Sequence, residues 1–83
     1  MEKKLKQKMP IMDIYLASYS VLNGITPELA LQGTRITFDF PATDKVYKIA
    51  RDFNNNPPVP LLDFVSSVRQ LRSQMIALKR GGQ

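Results

Sequence analysis

The chain has 83 residues, with 12 Lys and Arg against 7 Asp and Glu, a formal charge of +5, and neither His nor Cys. A single small domain is expected at this length, one that buries only about 60% of its unfolded surface and is modestly stable unless it finds a partner. The missing Cys excludes disulfides, thiolate chemistry and Cys-type zinc sites, while the missing His removes the commonest general base and the commonest transition-metal ligand.

Charge is unevenly placed. Residues 1 to 10 carry Lys3, Lys4, Lys6 and Lys8 against Glu2, a net of +3, and residues 65 to 83 carry Arg69, Arg72, Lys79 and Arg80 with no acid, a net of +4. The segment between them has a net of −2, from four bases and six acids. Clustered Lys and Arg gain free energy by releasing counterions from a polyanion, so the two basic ends suggest a handle for phosphates. The basic start is not followed by a signal-type apolar stretch, because Asp13, Ser18 and Ser20 interrupt it, and no apolar run approaches the ~18 residues of a membrane span. A cytoplasmic protein with no membrane partner is expected.

The spacing predicts a basic flexible arm over residues 1 to 10, a domain over 11 to 80 and a disordered tail over 81 to 83. After Pro10, the segment IMDIYLASYSVLNG has apolar positions around most of a helix circumference. Asp13 suits its N-cap, and Asn23 and Gly24 its left-handed stop. Leu29 and Leu31 then alternate with small or polar neighbours. Beyond Gly33, Ile36, Phe38 and Phe40 alternate with Arg35, Thr37 and Asp39. Two such runs around a glycine predict a β-hairpin, with the first strand the weaker of the two.

Thr43 is a suitable N-cap for DKVYKIARDF, where Val46, Ile49, Ala50 and Phe53 fall on one helical face. The prolines of NNNPPVP end that helix and push Asn56 towards extended backbone. Pro60 opens a last helix running to about Lys79. In it Leu61, Phe64, Val68, Leu71, Met75 and Leu78 follow strict heptad spacing, which serves either the domain's own core or a seam with another chain. Arg69, Arg72, Lys79 and Arg80 fall within an arc of about 100° beside that seam. This arc is either a solvated face or a phosphate-contacting one.

Other constellations carry less. Asp52, Asn54, Asn56 and Asp63 match calcium-loop positions, but Pro57 stands where that loop needs a flexible glycine, so no metal is expected. Gly81, Gly82 and Gln83 spell the tripeptide of peptide-chain release factors; the likeness covers three residues and implies no activity. No Ser, Thr or Lys has an activating base beside it and no glycine-rich phosphate loop exists, so neither catalysis nor a cofactor is expected.

Asp13 with Tyr15, Leu16, Ala17 and Tyr19, then Gly24, Phe38 and Phe40, Asp52 and Phe53, and finally Phe64, Val68, Arg69 and Leu71 follow one another along the chain. With these pieces the chain resembles a family of short prokaryotic and phage proteins, a domain of unknown function. The resemblance implies a shared fold and suggests an accessory protein of a phage or mobile element.

The expectation is thus a small single α+β domain in the order helix, β-hairpin, helix, helix. Its expected role is non-catalytic. One reading is weak, non-specific nucleic-acid association through Lys3, Lys4, Lys6, Lys8, Arg69, Arg72, Lys79 and Arg80. The other is a protein interaction, including a homodimer, through Leu61, Phe64, Val68, Leu71, Met75 and Leu78.

Overall fold

The alternation in TRITFDF becomes the middle strand of a three-stranded antiparallel sheet in the computed structural model, which describes residues 7 to 81. Lys3, Lys4 and Lys6 of the expected arm, and Gly82 and Gln83 of the expected tail, lie outside the described residues. In chain order the elements are β1 (Lys8–Ile11), α1 (Ile14–Leu22), β2 (Glu28–Gln32), β3 (Arg35–Pro41), α2 (Asp44–Asn54) and α3 (Leu61–Gly81). The order across the sheet is β1-β3-β2. The α+β class is as expected, with one strand more than the sequence pattern indicates.

That strand corrects the expected arm. Lys8, Met9 and Pro10 are paired with β3, with Lys8 opposite Pro41, Met9 opposite Phe40, Pro10 opposite Asp39 and Ile11 opposite Phe38. Neither Pro10 nor Pro41 has an amide hydrogen, so these residues take the positions that do not exchange ladder bonds. Met9 and Ile11 carry the bonds instead. Ala42 continues the alternation by donating its amide to the Gln7 carbonyl at 3.1 Å.

Gln32 faces Arg35 across the two-residue turn of Gly33 and Thr34. Gly33 has φ +64 and Thr34 does not share the positive sign, the pattern of a II′ hairpin turn matched to strand twist. Register then places Met9, Ile11, Leu29, Leu31, Ile36, Phe38 and Phe40 on one face of the sheet. Phe38 and Phe40 are fully buried there with Ile11, Ala17, Val46 and Leu71. The helices cover this face, and α1 packs against both α2 and α3.

Local chemistry sets the helix ends. Asp13 accepts from the amides of Tyr15 at 2.8 Å and Leu16 at 3.4 Å, and Thr43 accepts from Val46 at 3.3 Å. At the end of α1, Gly24 at φ +90 donates to Val21, and Ile25 donates to Ser20. That paired arrangement is a Schellman stop. Asn56 ends α2 differently from expectation, since its φ of 54 is left-handed rather than extended. Asn tolerates that region, and its amide donates to the Phe53 carbonyl at 3.1 Å, which closes the last turn before the prolines.

Candidate nucleic-acid interface

The helix α3 is 21 residues long and begins where the Pro60 carbonyl accepts from Phe64 at 2.9 Å. Its heptad positions divide into two environments. Val68 and Leu71 are buried in the domain's own core, and Phe64, Met75 and Leu78 are half-buried beside them. Leu61 is 69% exposed. The central part of the seam is therefore occupied within the monomer, where it holds α3 against α1 and the sheet.

That anchoring fixes which side of α3 meets solvent. Arg69, Arg72, Lys79 and Arg80 are all exposed, and no ion pair joins them to a described residue. The nearest acid on their own helix is Asp63, about 100° or more away from each of them around the axis. From Arg69 to Arg80 the helix rises about 16 Å, enough to follow several successive phosphates. The same arc contains Leu62, 79% exposed, and Ile76, 51% exposed. Neither belongs to the heptad set, and an apolar residue off that seam is the signal by which the sequence displays them.

Lys8 does not belong to this face. It crosses the outer side of the sheet to Glu28 at 2.6 Å, and that hydrogen bond and charge raise its pKa above the ordinary lysine value. Beside the pair, Thr37 donates to Asp39 at 2.9 Å. A cleft of about 760 Å³ opens at this end of the sheet, lined in part by Lys8, Glu28, Asp39 and Thr43. A second hollow of about 370 Å³ lies between Tyr19, Phe53 and Phe64, with Asn54, Asn56, Pro57 and Val59 closing it. Within it Tyr19 is tilted against Phe53 at 5.9 Å between centroids, and Phe64 stacks on Tyr15 outside the hollow at 6.4 Å.

Among the described residues there is no group of three or more His, Cys, Asp or Glu able to hold a metal. Asp52, the first member of the calcium-loop pattern, instead accepts from Lys48 at 3.2 Å on α2. No described helix is long and apolar enough to cross a membrane. Compared with protein-family models, curated proteins and solved structures, the chain finds no match. The family likeness therefore rests on the quoted residues alone.

Proposed function

We propose that this protein is a non-catalytic module that associates with nucleic acid through the phosphate backbone, weakly and without sequence preference. The observation that carries the proposal is the α3 face on which Arg69, Arg72, Lys79 and Arg80 stand exposed and without acid partners among the described residues. Unneutralised cations on a rigid helix gain most from phosphates, because they displace condensed counterions without first giving up an internal ion pair. Lys3, Lys4 and Lys6 add to this charge. Lys8 is already held by Glu28 and adds little. A role in a phage or mobile element rests on the sequence resemblance alone.

A labelled random oligonucleotide titrated at ~50 and ~200 mM salt tests this. Neutralising four to six phosphates gives a slope of log K against log salt of roughly −4 to −5 on duplex, with Kd near 10⁻⁴ to 10⁻⁶ M, on the order of other non-specific binders. Changing Arg69 and Arg72 together to Gln should flatten the slope by about two units and leave the circular dichroism unchanged. Deleting residues 2 to 6 should flatten it again. Absence of binding at ~50 mM salt would refute the proposal.

The exposed Leu61, Leu62 and Ile76 favour a second reading, an interaction module for an acidic, partly apolar protein segment. The two are separated by changing Leu61 and Leu62 to Ser. Backbone binding to nucleic acid is indifferent to that change.

A further inference from the structure

The sheet has two edges of unlike character. At β1 the edge is four residues long and includes Pro10, which has no donor to offer. Proline at that place blocks strand addition. At β2, Glu28, Ala30 and Gln32 pair with Asp39, Thr37 and Arg35. Because Phe38 and Phe40 bond towards β1, these are the β2 residues whose ladder groups face β3. Leu29 and Leu31 consequently aim their amides and carbonyls outwards. No backbone bond outside the ladder engages them among the described residues, and Leu31 remains 37% exposed. The strand ELALQ itself contains neither proline nor lysine, and no bulge interrupts its register with β3.

We infer that β2 pairs antiparallel with β2 of a second copy, forming a six-stranded sheet across a two-fold axis at Ala30. The sequence ELALQ is self-complementary in that register. Leu29 and Leu31 are opposite Leu31 and Leu29 of the second copy, where they exchange four ladder bonds and cover the exposed Leu31 side chains. Glu28 falls opposite Gln32 of the second copy, an acceptor against an amide donor. No like charges oppose each other, and only the small Ala30 meets itself. Shifting the two-fold axis to Leu31 would place Leu29 against Gly33 in the turn and Glu28 against Thr34, losing strand at both ends. A second copy fits this edge better than it fits α3, whose exposed face would oppose four cations to four cations.

Sedimentation and one introduced thiol test the inference independently of nucleic acid. The unmodified chain should move from 9.4 kDa towards twice that mass as concentration rises from ~10 to ~500 μM. The chain has no Cys, so Ala30→Cys supplies a single thiol. Opposed Cα atoms at the two-fold are about 4.5 Å apart in such a pair, within disulfide reach. Gln32→Cys on the same strand is the control, since its two copies are displaced by about 13 Å. Ala30→Cys should cross-link at least tenfold faster than Gln32→Cys under mild oxidation. Ala30→Lys, which sets two ammonium groups on the axis, should stay folded by circular dichroism and sediment as a monomer. A monomer at ~500 μM, equal cross-linking of the two cysteine variants, or a dimer that survives Ala30→Lys would each overturn the inference.

Discussion

The residues that α1 buries most completely are its small ones. Ala17, Ser18 and Ser20 are at or near zero exposure, whereas Tyr15, an apolar position in the sequence pattern, is 51% exposed. Small side chains on that side let α2 and α3 both approach α1 closely. The serine hydroxyls are satisfied within the helix, Ser18 donating to Ile14 at 2.7 Å and Ser20 to Leu16 at 3.0 Å. Volume rather than polarity is thus the constraint here. Ser18→Ala should cost less than ~1 kcal/mol, because the Ile14 carbonyl keeps its helical partner, while Ala17→Leu should cost about 1–3 kcal/mol through overpacking. Leu71→Ala, which empties part of the core between α3 and the sheet, should cost about 2–5 kcal/mol. Urea unfolding of the three variants measures the order. If Ser18→Ala were as damaging as Ala17→Leu, the close-packing account of α1 would fail.

Elements in this chain are bounded by chemistry that acts over three or four residues. Asp13→Ala should cost about 1 kcal/mol, since two first-turn amides lose their acceptor, and Gly33→Ala should cost a similar amount because its φ is positive. Thermal melts of both check this; an unchanged midpoint for Asp13→Ala would show that the cap is not stabilising α1. Such local devices are what a sequence displays well, so the three helices and the β2–β3 hairpin were legible near their observed limits. β1 was not. Four residues are too few to show alternation, their lysine and proline suggest an unpaired arm, and the partner strand lies some thirty residues further on. Asn56 was misjudged for a related reason, since the restriction imposed by Pro57 is local but the helix stop that overrides it depends on α2. The α3 seam was visible as a seam, yet spacing alone does not distinguish the domain's own core from another chain. Burial places Val68 and Leu71 in the domain's own core, which no spacing rule shows. The basic arc, by contrast, was legible, because helical periodicity alone places Arg69, Arg72, Lys79 and Arg80 together.

Across the whole molecule, the described cations divide into two paired with acids, Lys8 with Glu28 and Lys48 with Asp52, and seven that are not, of which four share the basic arc on α3. That division has a consequence for pH. With no His and no Cys, no side chain of ordinary pKa changes charge between about pH 6 and pH 9. Folding stability and the salt slope of nucleic-acid binding should both be level across that range. Lys8 limits stability only on the alkaline side. Its pKa in the folded state is raised above 10.5, chiefly by its hydrogen bond to Glu28, so its contribution is complete below that value and is lost as pH rises through the raised one. Urea midpoints and oligonucleotide titrations at pH 6, 7.5 and 9 provide the measurement. A step in either quantity near pH 6.5 would mean that a carboxylate with a strongly raised pKa, rather than fixed cations on α3, governs the behaviour.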